Sequence, residues 1–361
     1  MPRESKLFAP RYPFDPQAIP GYYGWVIFVI SLAERLISVP GHNVGIAPFT
    51  EPILQHLAIT RTDFSQILGI AIFLSTFPLP TFGRVFDQIG ARKAAVYSAF
   101  GLGLTLLFLG NIELMISTLT PFLGTHAATL LMLFLGFFLL KLLGQNLLPL
   151  ASRFMLLRWY PHMTYAIMGV SGLFVSIIFG CGPKMTEFLI VRYGYFGAWL
   201  QMGIVTLLVI LPMLWLFCRD SPESCGMAAP EGFQKKAGNT NHVTDATLWQ
   251  ALRTFDFWLF AIATATSTFT TTGLQIHIVD LFRDVHACMD NALNIFLPVA
   301  IVSAISGVFF GFFQERIAIY FCPVAVFAVN GLIAGSIDFI AHPWILGTFI
   351  FLFGMNWALY G

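Results

Sequence analysis

Runs of about twenty apolar residues, almost free of charge, follow one another along nearly the whole of this 361-residue chain. No other feature constrains the fold as strongly. A helix needs about 20 residues to cross the hydrocarbon core of a bilayer, and lipid offers no partner to an unpaired backbone N–H or C=O. Helices satisfy those groups within the segment. Ten such segments are read at 24–48, 64–84, 92–111, 124–152, 163–187, 195–218, 255–281, 291–313, 317–338 and 342–361. Composition agrees. Apolar residues are 57% of the chain, charged residues 10%, and mean hydropathy is +0.78, whereas a soluble domain is about a quarter charged. The expected fold class is an all-α membrane protein with a lipid bilayer as its first partner.

The first twenty residues are Pro-rich and polar, with Arg3, Lys6, Arg11 and Asp15. They do not resemble a cleavable signal, so the first apolar run is expected to remain as an anchor. Five cysteines, at 181, 218, 225, 288 and 322, are scattered singly, without disulfide or metal-ligand spacing. No cofactor or metal is expected. One connection is long. Residues 219–253 are polar, carry Pro222, Gly226, Pro230, Gly232, Lys235 and Lys236, and divide six helices from four. The expected organisation is a six-helix bundle at 1–218, a loop at 219–253 and a four-helix bundle at 254–361.

Basic residues orient the chain. With the N-terminus inside, thirteen of the nineteen Lys and Arg fall on the inner side and only Arg61, Arg192 and Arg283 on the outer. Arg35, Lys141 and Lys184 lie within spans. By the positive-inside rule the N-terminus and the long loop are cytoplasmic, in what is expected to be a bacterial inner membrane.

Between the second and third spans stands Gly83-Arg-Val-Phe-Asp87-Gln-Ile-Gly90-Ala-Arg92-Lys93. Gly83 suits a close helix approach, Gly90 a tight turn, and Asp87 can pair with Arg92. The plainer reading is a basic cytoplasmic turn. A weaker echo, Gly311-Phe-Phe-Gln-Glu315-Arg-Ile317, follows the eighth span, as in transporters built from parallel repeats. The first segment matches every fixed position of G-x-x-x-D-x-x-G-x-R-K and so resembles the signature loop of the major facilitator superfamily. That resemblance implies a major facilitator fold and a conformational latch at Gly83, Asp87, Gly90, Arg92 and Lys93. In the family Asp87 would face the N-terminal end of an eleventh helix.

Further stretches are similar to bacterial relatives of the monocarboxylate carriers and, in part, to oxalate–formate exchangers. They are Val39-Pro-Gly41-His42-Asn43-Val-Gly45, Lys141-Leu-Leu-Gly144-Gln145-Asn146, Arg158-Trp159-Tyr160, Asp220-Ser-Pro222-Glu223-Ser-Cys-Gly226, Ile276-His277-Ile-Val279 and Phe296-Leu-Pro298. The match runs from about Gly21 to Gly361. Departures include Pro161-His162-Met163-Thr164, where the relatives carry basic residues, and Lys141 and Asn146, where they carry Arg and Gly. The eighth span lacks their acid and arginine. The chain is read as ending near the close of the tenth helix, so the second half is expected to be incomplete and prone to self-association.

A charge inside a membrane helix costs about 3 kcal/mol on insertion scales, which makes such residues candidates for function. Lys141 lies mid-span with Gln145 one turn on. It is read either as a cationic anchor for a carboxylate or as part of an internal pair bracing its helix. Glu34, Ser38 and His42 form one stripe beside Arg35, where Pro40 and Gly41 would loosen the helix. Glu34 and His42 can exchange a proton with a substrate pathway, or Glu34 and Arg35 can pair with other helices without meeting substrate. In the seventh span Thr264, Thr268, Thr271 and Gln275 share one face, and Thr266, Thr270, Gly273 and His277 the other. The resemblance favours the His277 face. Lys184 and Glu187, near the outer end of the fifth span, are read as snorkelling or pairing rather than as binding anything.

No phosphate loop or nucleophile–base arrangement stands out, and neither an enzyme nor a nucleic-acid binder is expected. The expected function is secondary transport of small organic anions, above all monocarboxylates, by proton symport or antiport (exchange). Candidate substrate or coupling residues are Glu34, Arg35, His42, Asn43, Lys141, Gln145, Asn146 and His277. The alternative is a non-transporting membrane fragment or an assembly or binding subunit.

Overall fold

The computed structural model describes residues 6–161, 164–227, 250, 252–285, 292–313 and 321–360. Lys235, Lys236, Arg316 and the end of the repeat at Ile317 lie outside them. Every extended element among the described residues is helical, and none is a strand.

The first apolar run is helical from Gly24 to Ser38 (α1) and then broken. Val39–Gly41 is a single 3-10 turn with Pro40 at its centre, and His42 is extended at φ −84° and ψ 156°. Short helices Asn43–Ile46 (α2) and Thr50–His56 (α3) follow, joined by a second 3-10 turn. The loosening expected at Pro40-Gly41 is thus a complete break. Arg61–Thr76 (α4) opens on a capping box, in which Thr60 accepts from the Asp63 N–H and the Asp63 side chain accepts from Thr60. It bends by 47° into Leu79–Ile89 (α5), beside the prolines at 78 and 80.

Gly90, at φ +89°, turns the chain into Ala91–Gly110 (α6). Residues 112–123, expected to be a connection, instead form helix Ile112–Leu123 (α7). Gly124, at φ +76°, then reverses the chain so that α7 packs on Thr125–Leu140 (α8). The α8 helix runs through a π-helical stretch, Lys141–Leu147, into Leu148–Trp159 (α9). Thr164–Val205 (α10) is interrupted by Gly194 at φ +71°, where the sequence places the boundary between two spans. A second π stretch leads to Leu211–Phe217 (α11). Beyond the loop come Phe255–Asp284 (α12), Phe296–Phe313 (α13), Phe321–Ser336 (α14) and Pro343–Tyr360 (α15).

Among the described residues, four helical runs are long and apolar enough to cross a membrane: Gly24–Gly41, Ala91–Gly110, Thr125–Trp159 and Ile167–Phe217. The bent α4–α5 pair makes a fifth, and shorter apolar helices include Pro323–Phe339 and Pro343–Leu359.

Two compact units emerge. The first comprises Met1–Ile167 and Gly182–Phe233, and the second Met168–Cys181 and Gln234–Gly361. The contacts therefore assign part of α10 to the second unit, where the sequence reading kept all of 1–218 together. Within the second unit the Gly180 position lies so close to Ala300 that an added Cβ would sit 2.4 Å from the alanine methyl. Within the first, Phe49 stacks on Trp199 at 3.9 Å and 14°, both buried, which ties the broken first helix to α10.

Candidate functional site

Three residues far apart in sequence converge in the first unit. The Lys141 ammonium donates to Asn43 Oδ1 at 2.5 Å and to Gln145 Oε1 at 2.8 Å. Lys141 is 0% exposed and Asn43 5%. An ammonium carries three donors, and both acceptors here are neutral amide oxygens. No carboxylate of the described residues forms an ion pair with Lys141, and its third donor has no partner among them. An ionisable group buried in a membrane helix and satisfied only in part, by neutral groups, is a candidate for function.

Backbone geometry creates this arrangement. In the Lys141–Leu147 stretch hydrogen bonds reach five residues back, as from Leu148 N–H to the Leu143 carbonyl. Such π segments insert one extra residue and re-aim the side chains on that turn. Opposite it lies the broken first helix. A Cβ on Gly41 would stand 2.7 Å from Gln145 N, Gly144 C and Gly144 Cα, and a Cβ on Gly144 would stand 3.0 Å from Gly41 Cα. The two glycines let the backbones touch, which carries Asn43 within reach of Lys141. Asn146, one position beyond Gln145, donates to Ser75 Oγ at 3.2 Å and to the Ser75 carbonyl at 3.3 Å, holding the π stretch to α4.

The other candidates separate from this cluster. Glu34 is fully buried, and its Oε1 accepts from Cys218 Sγ at 3.6 Å rather than from His42. Its Oε2 and the Arg35 Nε have no partner among the described residues, and the two side chains form no ion pair with each other. His42 is half-buried at the extended break just before Asn43. His277, in the second unit, is exposed, with Nδ1 3.6 Å from Asp280 Oδ2. Lys184 and Glu187 pair at 2.8 Å, as read from the sequence.

The opposite face of α12, the one that carries Thr271, hydrogen-bonds across a helix interface in a buried polar cluster whose partners, Asn330 and Asn356, sequence reasoning did not find. Asn356 Oδ1 accepts from Ser267 Oγ at 2.7 Å and from Asn330 Nδ2 at 3.1 Å, while Asn356 Nδ2 donates to Thr271 Oγ1 at 3.0 Å. It joins α12, α14 and α15. Two lone asparagines inside the last apolar runs were the available signal.

In the signature loop the partners differ from those read from sequence. Asp87 is exposed and makes no ion pair among the described residues. Arg92 does not pair with it. The Arg92 guanidinium, 1% exposed, donates to the carbonyls of Ala9 at 3.1 Å, Tyr12 at 3.0 Å and Trp215 at 2.6 Å. The carboxylate at the start of α6 belongs to Asp220, which accepts from Arg92 N–H at 2.9 Å. Its Oδ1 would lie 2.5 Å from a Cβ on Gly90, so glycine is required there by space as well as by its positive φ. No heavy atom of the described residues lies within 4 Å of a Cβ on Gly83. Lys93 stacks on Phe8, its ammonium 5.9 Å from the ring centre. Arg219 repeats the Arg92 pattern, donating to the carbonyls of Leu216, Cys218 and Phe14 and lying over the Phe14 ring at 4.9 Å.

Its apolar helical runs mark the chain as a multi-pass membrane protein. The profile of the Major Facilitator Superfamily matches residues 25–361, and the chain belongs to that family of transporters. The fold is similar to that of a bacterial homologue of the human lysosomal transporter Spinster. Its inward-facing, unoccupied structure aligns at TM-score 0.62 and 16% identity, over 94% of this chain and 74% of the other. The occupied structure aligns at 0.58 and 15%, over 94% and 72%. No curated protein sequence matches the chain significantly.

Proposed function

We propose that this transporter carries small organic anions, monocarboxylates foremost, by proton symport or exchange, with Lys141 as the cationic anchor. The observation that carries the reading is the Lys141 ammonium, buried, bonded only to two amide oxygens, with one donor to spare. A carboxylate brought to it gains a charge-assisted bond in a medium of low dielectric. Gln145 orients the ammonium from the same helix, and Asn146 and Ser75 hold that helix in place. Glu34, buried and short of partners, is the proposed coupling group, with Arg35, His42 and His277 as further polar groups on the route. The signature loop from Gly83 to Lys93 is proposed to set the balance between alternating states. The chain would work by alternating access, with the N-terminus and the 219–253 loop in the cytoplasm of a bacterial cell.

Uptake of labelled lactate, pyruvate, formate and oxalate into proteoliposomes, with and without a pH gradient, tests the reading. Lys141→Ala should abolish anion binding, and Lys141→Arg should retain a measurable part, because the requirement is a buried positive charge. Equal binding by wild type and Lys141→Ala would refute the anchor.

A further inference from the structure

We propose that Asn43 is a built-in stand-in for the substrate. Its amide oxygen occupies the place on the Lys141 ammonium that a carboxylate oxygen takes on binding, and its displacement releases the segment of chain that follows the break in the first helix. This rests on the reading of Lys141 as the anion anchor.

The two neutral acceptors on Lys141 are not equivalent. Gln145 lies one turn along the same helical run, so its bond is local and survives any movement of that run as a whole. Asn43 is 98 residues distant, on the other side of the Gly41–Gly144 contact, and its bond joins two independent elements. Only the Asn43 bond can report to a second helix that the site has filled.

The segment carrying Asn43 is set off by a break on each side. His42 is extended and breaks the helical ladder, and α2 is a single turn of four residues before the next 3-10 turn. A short piece between two breaks, resting on a glycine–glycine contact, can pivot without unwinding a long helix.

Acceptor strength favours displacement. Lys141 is fully buried and Asn43 nearly so, which leaves little room around the pair. A carboxylate oxygen is a stronger acceptor for an ammonium than an amide oxygen, so an anion that reaches the free donor also competes for the place Asn43 holds. Asn43 therefore holds the cation while the site is empty and yields to a charged ligand, whereas a neutral ligand has no such advantage. The exchange gives selectivity for anions and links binding to movement of the first helix.

Equilibrium binding of labelled lactate, pyruvate, formate and oxalate to the purified 361-residue protein tests this with four variants. Asn43→Ala and the nearly isosteric Asn43→Leu remove the competing acceptor and should bind about threefold or more tightly than wild type. Asn43→Asp supplies a permanent internal carboxylate and should bind none of the anions, while its thermal stability without ligand equals or exceeds that of wild type. Weaker binding by both Asn43→Ala and Asn43→Leu overturns the proposal, since Asn43 would then help hold the substrate. If those two variants do not fold, Asn43→Asp decides alone, and undiminished binding by it overturns the proposal. Lys141→Ala separates the two levels. If it abolishes binding while the Asn43 variants contradict expectation, the anchor stands and the stand-in fails. If it binds as wild type does, or wild type binds none of the four, both fail.

Discussion

Gly41→Ala is the most demanding perturbation of the site, because the added methyl meets backbone rather than flexible side chain. Its Cβ would stand 2.7 Å from Gln145 N, Gly144 C and Gly144 Cα, where ordinary contact begins near 3.4 Å. The broken helix must therefore retreat by about 0.7 Å, since neither backbone can rotate out of the way. Overpacking of this kind costs about 1–3 kcal/mol. The same retreat stretches the Lys141–Asn43 bond from 2.5 Å toward about 3.2 Å, and weakening one charge-assisted bond adds about 1 kcal/mol. The expected loss is about 2–4 kcal/mol, read by reversible unfolding in detergent micelles. Gly69→Ala is the matched control. It lies within α4 with no heavy atom within 4 Å of its added Cβ, and helix propensity alone should stabilise it by up to about 1 kcal/mol. Opposite signs for the two variants are expected. If Gly41→Ala lies within about 0.5 kcal/mol of wild type, the close contact does not position the site and the argument from the glycine pair fails.

Arg92→Gln removes the cation that holds three carbonyls of the N-terminal segment and α11, and limited proteolysis before Gly24 should become markedly faster. Arg92→Lys should rescue little, because one ammonium cannot reproduce the planar fork. Asn356→Ala breaks bonds to Ser267, Asn330 and Thr271 and should lower stability by about 2 kcal/mol, at roughly 0.6 kcal/mol per interhelical bond plus a small cavity. Asp87→Asn, at an exposed position without an ion pair among the described residues, should change unfolding stability by less than about 0.5 kcal/mol. Asp220→Asn should cost more, because it weakens the acceptor at the start of α6.

What the sequence determined by itself is the helical, membrane-spanning character of the chain and the identity of the polar residues placed within it. Apolar runs in lipid must close their own hydrogen bonds, so their helical state follows from local composition. Pro40-Gly41 and the signature loop were legible for the same reason, since a proline or an obligatory glycine acts on its immediate neighbours. Lys141 stood out because a charge amid apolar residues needs no partner to be noticed. Its partners were another matter. Asn43 lies 98 residues away, and the approach that joins them depends on two glycines and a π stretch that leaves no periodic trace. Arg92 was expected to pair with the nearby Asp87, yet it binds carbonyls 80, 83 and 123 residues distant. The acid beside it is Asp220, 128 positions away. Within a helix, spacing along the chain decides which groups meet; between helices, packing of whole elements decides it. The tertiary structure alone could therefore choose the partners of each buried polar group, and with them the shape of the site.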